Sequence, residues 1–226
     1  MPLDLQKIFT YPYDNDLLMR KQKSIRRALL SREGVGYIDK RIAVLCGSTM
    51  DDIKNILETS AELYGDKPLF LQKFENDQPF QEISYSKVLT DVNALGTALI
   101  ELGLKGKHVG VIGKNCYEWA ESYLAVVCGT GVIVPLDKEL NEDELAHLTA
   151  GGELSAVITM DKHYDMFKRI KDRDDNSLKL VINAGMHSHE NEHKGLLSWH
   201  KLRERGYELV EAGDRSFIDA EIVNTD

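Results

Sequence analysis

Cysteine is scarce in this chain of 226 residues. There are three, Cys46, Cys116 and Cys128, widely separated and with no C-x-x-C pair. That pattern argues against a disulfide framework. Each lies in or beside an apolar segment, so each reads as a buried free thiol, with a catalytic thiol as the lesser alternative. Long apolar runs are also missing, and none approaches the length of a membrane span. The opening stretch, MPLDLQKIFTYPYDND, lacks a basic segment followed by an apolar one, so no secretory signal is expected and a cytoplasmic location is the default. Positive charge is in deficit. The formal net charge is -9, which repels phosphate backbones and anionic lipid and disfavours a nucleic-acid partner.

What is present suits a globular protein. Hydrophobic residues make up 42% of the chain and charged residues 29%, enough for one substantial core and too apolar for a disordered chain. Basic residues from Arg20 to Arg27 sit on a short expected helix, Asp16 to Leu30, and read as a solvated face. A first strand is expected at Arg41–Cys46, a continuous apolar run suited to burial on both faces. A helix follows with Ile53, Ile56, Leu57, Ser60, Ala61 and Tyr64 at helical spacing, Ser48 or Thr49 as its cap, and Gly65 and Pro68 as its stop. Two strands around Glu75–Pro79 read as a hairpin. A long helix, Ser86 to Leu102, carries a stripe of Val88, Leu89, Val92, Leu95, Leu99 and Leu102.

Strands and helices then alternate. The expected strands are His108–Ile112, Gly131–Leu136, Ser155–Thr159 and Leu178–Asn183. The expected helices are Cys116–Cys128, Asn141–Ala150, Asp161–Lys171 and Ser198–Val210. This alternation predicts an α/β fold, a mainly parallel sheet with helices on both faces.

Four places invite a chemical reading. The strand-turn-helix unit Arg41–Asp52 has a Gly47-Ser48-Thr49 turn, and a helix start can hold an anion or present a serine nucleophile. It has no Walker spacing, and Asp51 and Asp52 put negative charge where a phosphate would sit, so a helix cap is the plainer reading. Gly110-Val-Ile-Gly113-Lys-Asn-Cys116 joins a strand end to a helix start, where open α/β sheets bind ligands. Lys114 or Asn115 could touch a ligand there, although the glycines do not match G-x-G-x-x-G and a structural use is favoured. His187, His189 and His193 form H-x-H-x3-H, a potential zinc set, in a polar stretch that reads as a flexible connection. Asn141-Glu-Asp-Glu144 is acidic enough for a divalent cation, but acidic residues are also what a helix start prefers. These readings assign no catalytic, cofactor-binding or metal-ligating residue.

Taken together, the residues beyond about Ile53 resemble the AMP-forming acyl-CoA synthetases of the acyl-adenylate-forming ligase superfamily. Ser60-Ala-Glu-Leu-Tyr-Gly-Asp-Lys-Pro68 resembles the helix and turn at the start of these enzymes. Ile83-Ser-Tyr-Ser86 is similar to the start of their first long helix, with Lys87 where an acidic or amide residue is common. The run from Leu95 to Ile112 looks like the helix, loop and strand that follow. Lys114-Asn-Cys-Tyr-Glu-Trp119 resembles a segment of the long-chain members. Gly129-Thr-Gly-Val-Ile-Val-Pro-Leu-Asp137, Glu142-Asp-Glu-Leu145, Ser198–Leu202 and Asp214-Arg-Ser-Phe-Ile-Asp-Ala-Glu-Ile222 continue the order.

The resemblance implies a two-step reaction. A carboxylate attacks ATP, with Mg²⁺, to give an acyl adenylate, and coenzyme A then displaces AMP. It also implies a Ser/Thr/Gly-rich loop ending in Pro-Lys-Gly that holds the phosphates. The sequence contains no such loop, and no residue matches a catalytic position of the family. The chain therefore reads as a truncated acyl-activating ligase, inactive alone, with ATP, Mg²⁺ and CoA belonging to the complete enzyme. The implied partner is the remaining part of the ligase or a carrier protein. The alternative is a non-catalytic docking module of an acyl-activating or carrier-protein complex.

Residues 1–55 depart from that family. Tyr11-Pro-Tyr-Asp14, Lys21–Leu30 and Arg41–Ile53 resemble the N-terminus of FkbH-like proteins, without the Asp-x-Asp-x-Thr motif of the haloacid-dehalogenase-type domain those proteins carry. The expected organisation is a 1–55 extension, then 56–226 as a partial synthetase N-terminal domain. In complete family members later segments continue the sheet, so exposed apolar edges are expected here.

Overall fold

The computed structural model describes residues 52–73, 78–185 and 195–222, all within the unit Asp51–Asp226. The expected helix at Asp16–Leu30, the strand at Arg41–Cys46 and the FkbH-like segment before Asp52 lie outside the described residues.

The first helix, α1, spans Ile53–Tyr64. Its cap is Asp52, whose carboxylate accepts the Asn55 amide at 2.8 Å. A carboxylate satisfies an otherwise orphaned amide and complements the positive helix end. The expected apolar stripe is corrected. Leu57 and Ala61 are buried, whereas Ile53 and Ile56 are exposed, because α1 packs along one narrow side only. Gly65 ends the helix and donates its amide to the Ala61 carbonyl at 2.9 Å. The hairpin follows as expected: β1 (Pro68–Gln72) pairs antiparallel with β2 (Gln81–Ser84).

Helix α2 (Tyr85–Glu101) starts on Ser84, whose hydroxyl accepts the Lys87 amide. It was expected to be one-sided. Instead Val88, Asp91, Val92, Ala94, Leu95, Gly96, Thr97, Ala98 and Leu99 are all buried, because neighbours close around it. Its small residues permit this. A Cβ on Gly96 would fall 2.3 Å from the Phe217 ring.

The sheet comes from β3 (His108–Ile112), β4 (Val132–Pro135), β5 (Ala156–Thr159), β6 (Leu180–Asn183) and a short β7 (Leu196–Ser198). The connecting helices are α3 (Tyr117–Ala125), α4 (Glu142–Gly151), α5 (Asp161–Lys171) and, after β7, α6 (Trp199–Glu211). The expected helix Cys116–Cys128 ends early. From Val126 to Thr130 the backbone widens into a π-type turn, with Gly129 at φ 157°. Helix α6 approaches α2 closely through Gly206, where a Cβ would meet the Ala94 carbonyl oxygen at 1.9 Å.

Strand order is β4-β3-β5-β6-β7, and every neighbouring pair is parallel. Alternate residues feed two cores. Val109, Val111, Ala156, Ile158 and Ile182 pack with Leu95 and Leu99 of α2, Ala125 of α3 and Trp199 of α6. Ile112, Val157 and Val181 pack with Leu145 of α4 and with Phe167 and Ile170 of α5. Each fully buried Val, Leu, Ile or Phe among them contributes roughly 1.5–3 kcal/mol. Burial on both faces is why these strands read as continuous apolar runs. The sheet edges are β4 and β7, and Val132 on β4 is half exposed.

Candidate functional site

The chain steps outward from β3 to β4, then crosses back to place β5 on the other side of β3. In a doubly wound sheet, a crevice opens at such a reversal beyond the carboxyl ends of the strands. A cavity of about 610 Å³ lies there. Its walls are the turns after β3 (Gly113–Cys116), β4 (Lys138 and Glu139), β5 (Met160, Lys162 and His163) and β6 (Ala184 and Gly185), with Leu71–Lys73 of the hairpin and Glu118 alongside.

Local geometry follows from the backbone. Gly113 sits at φ 152°, and a Cβ there would fall 2.3 Å from Met160 Cγ, so only glycine fits the turn beside β5. The Met160 amide donates to the Ile112 carbonyl at 3.3 Å and ties the two strand ends together. Helices α3 and α5 begin on this cavity, at Cys116 and Met160, and neither N-cap residue supplies a side-chain cap. The other four helices among the described residues are capped by Asp52, Ser84, Asn141 and Ser198. Gln72 partly compensates from the hairpin. Its Oε1 accepts the Tyr117 amide, and its Nε2 donates to Glu118 at 3.1 Å.

His163 is 3% exposed. Its Nε2 lies 3.0 Å from the Lys138 carbonyl oxygen. A carbonyl only accepts, so Nε2 carries the proton and, in the neutral ring, Nδ1 is an acceptor. Nδ1 is buried with no partner. Four lysines line the cavity, Lys73, Lys114, Lys138 and Lys162, against two glutamates, Glu118 and Glu139. This is a local surplus of positive charge in a chain of net charge -9.

The sequence candidates fare differently. Lys114 and Asn115 are brought into the cavity. Lys138, Lys162 and His163 were missed, although the strand-end rule that singled out Lys114 also applies after β4 and β5. Asn141–Glu144 is a capping box: Asn141 Oδ1 accepts the Glu144 amide, and Glu144 accepts the Asn141 amide. Glu142 pairs with Arg169 at 2.6 Å and with Arg173 at 3.2 Å. No cluster that could hold a metal ion occurs among the described residues. His187, His189, His193 and Cys46 lie outside the described residues. Cys116 is half-buried and Cys128 buried, both free. Burial pushes their thiols up to about 11 and about 12, which leaves them unreactive.

A second polar group lies on the helix side of the sheet. Asp91 of α2, 1% exposed, accepts from Tyr117 at 2.6 Å and from Lys87 and Tyr207. Arg203 of α6 donates to Glu121 of α3 at 3.2 Å and lies 4.6 Å from the Trp199 ring centroid. Burial pushes the Glu121 carboxyl up to about 8 despite the facing guanidinium.

The sheet order and its strand-end crevice define a doubly wound α/β unit of the kind that binds ligands beyond its strands. The chain belongs to the family described as AMP-binding enzyme, which matches residues 57–214. The crotonobetaine/carnitine–CoA ligase of Salmonella paratyphi A is 23% identical over 136 residues, covering 59% of this chain and 26% of that protein. Its counterpart in Salmonella typhimurium is 25% identical over 131 residues, 57% of this chain and 25% of the relative. The match thus spans about a quarter of the length of these curated relatives. Among solved structures, the coronafacic acid ligase of Pectobacterium brasiliense has the same fold with a TM-score of 0.60, at 18% identity over 70% of this chain and 30% of that one. A long-chain-fatty-acid–CoA ligase of Archaeoglobus fulgidus has it with a TM-score of 0.57, at 19% identity over 69% and 30%.

Proposed function

We propose that this chain is the N-terminal portion of an acyl-activating ligase of the long-chain acyl-CoA synthetase type, acting in cytoplasmic fatty acid metabolism. The observation that carries the reading is the ordered run from Leu57 to Asp214, which matches the family and forms a doubly wound unit with a crevice at its strand ends. The complete reaction joins a carboxylate to coenzyme A at the expense of ATP. This chain supplies scaffold and one wall of the site. Its 226 residues contain no Ser/Thr/Gly-rich loop ending in Pro-Lys-Gly. ATP, Mg²⁺ and CoA belong to the complete enzyme, and the partner is the remaining part of the ligase or a carrier protein. By themselves these residues do not form acyl adenylate. Pyrophosphate release from ATP and a panel of carboxylic acids measures this. No release is expected from the purified chain, and turnover above background would overturn the reading.

A further inference from the structure

We propose that Gln72 is a positioning residue that couples the β1–β2 hairpin to the first turn of α3, and so fixes the separation of two walls of the strand-end cavity. The inference stands on the contacts alone and does not need the ligase reading. Leu71–Lys73 form one of these walls, and Cys116 and Glu118 belong to another.

The need for such a residue is visible in α3. Its N-cap, Cys116, makes no side-chain cap bond, and the amides of a first helical turn have no partner within the helix. A serine or aspartate N-cap would ordinarily take up an amide of this turn. Here the acceptor comes from 45 residues earlier in the chain: Gln72 Oε1 accepts the amide of Tyr117, the first residue of α3. The same side chain has a second grip. Its Nε2 donates to the Glu118 carboxylate, 3.1 Å from one oxygen and 3.3 Å from the other. A carboxylate in the first turn complements the positive helix end, and the Gln72 amide fixes where it points.

The rest of the hairpin is thinly attached. In β1, Pro68 and Leu71 are exposed, and Leu69, Phe70 and Gln72 are half-buried. In β2, Gln81 and Glu82 are exposed and Ile83 is buried. The Phe70 ring meets the Tyr117 ring edge-on at 5.4 Å, so this contact falls on the same residue of α3. A two-stranded hairpin is marginal by itself, and its position is set by where it is tied. Register matters as well. Gln72 lies opposite Gln81, and a slip of one residue would turn it to the other face and break both bonds. A coupling of this kind is reciprocal: loosening the first turn of α3 loosens the hairpin, and the reverse.

The test is amide hydrogen exchange of the full chain by NMR at pH 7. The amides followed are Tyr117, the β1–β2 ladder and, as a control, Val109 and Ile158 of the central strands. Gln72→Leu should speed exchange at Tyr117 and in the hairpin together by about tenfold or more, the scale of a hydrogen bond to a charged group, with the central strands unchanged. Glu118→Ala, made on the helix, should speed exchange in the hairpin by a smaller factor. Gln72→Glu keeps the size and the acceptor but sets two carboxylates face to face, and should behave like Gln72→Leu. The double variant Q72E/E118Q exchanges donor and acceptor across the contact and should restore most of the protection, a rescue that filling space would not give. The comparison of Q72E with Q72E/E118Q also decides the matter if Gln72→Leu fails to fold. Faster exchange at Tyr117 with an unmoved hairpin, equal acceleration in the central strands, or no rescue in the double variant would each overturn the proposal.

Discussion

The two polar regions of this protein are built by opposite means. On the helix side, Asp91, Glu121, Arg203, Tyr117 and Tyr207 come from α2, α3 and α6 and turn their polar atoms on one another. Asp91 and Glu121 are both sealed from water. At the strand ends, the polar groups are exposed lysines, an α3 start whose Tyr117 amide is taken by Gln72, an α5 start with no side-chain cap from Met160, and the buried Nδ1 of His163. The first region turns most of its hydrogen-bonding capacity inward, with Glu121 Oε1 and Arg203 Nε left without a hydrogen-bond partner, and it ties α6 to α2 and α3. The second leaves its capacity open. A buried charge with internal partners is a structural element.

The sharpest way to break the helix-side region is Arg203→Leu. At pH 9, where Glu121 is ionised, the change leaves a buried carboxylate without its partner. The expected loss is about 3–5 kcal/mol of stability by denaturant unfolding. At pH 5, with Glu121 protonated, the same variant should lose distinctly less. Equal losses at both pH values would remove Glu121 from the account.

A smaller effect follows for the unaltered chain. The folded-state Glu121 carboxyl titrates near 8, above the ordinary glutamate value. Between roughly pH 4.5 and 8 the unfolded chain has released this proton while the folded chain keeps it. This contribution to stability is therefore fully present below the unfolded value and is lost as pH rises through about 8, with a slope of at most about 1.4 kcal/mol per pH unit. Melting temperatures from pH 5 to 9 test the sign, and Glu121→Gln should flatten the curve.

The smallest effect is expected at the other region. Lys114→Ala and Lys162→Ala should each change stability by no more than about 0.5 kcal/mol in urea unfolding, as for exposed side chains with no structural partner. A larger loss would mean that the cavity lysines, like Arg203, belong to the scaffold.

Much of the scaffold was legible in the residue order. The limits of β3 and α5 match expectation residue for residue, because a continuous apolar run and a strongly amphipathic segment carry their own period. Strand β7 was not legible. It is three residues long, and it exists because the β6 backbone lies beside it to accept and donate its hydrogen bonds. The full burial of α2 was also hidden, since Asp91 and Thr97 look like solvent-facing positions until α6 and Phe217 close over that side.

The site divides in the same way. Lys114 and Asn115 were visible as the end of a strand. Lys73, Lys138, Lys162 and His163 were not, because they reach one cavity from turns far apart in the chain. By itself the sequence determined the α/β alternation, the order of the elements and the resemblance that led to the family, because periodicity and local motifs are properties of neighbours along the chain. Only the tertiary structure decided which strand ends share a crevice, which carboxylates are sealed and which histidine nitrogen is left without a partner. Those depend on strand order and helix packing, which bring together groups that no local spacing connects.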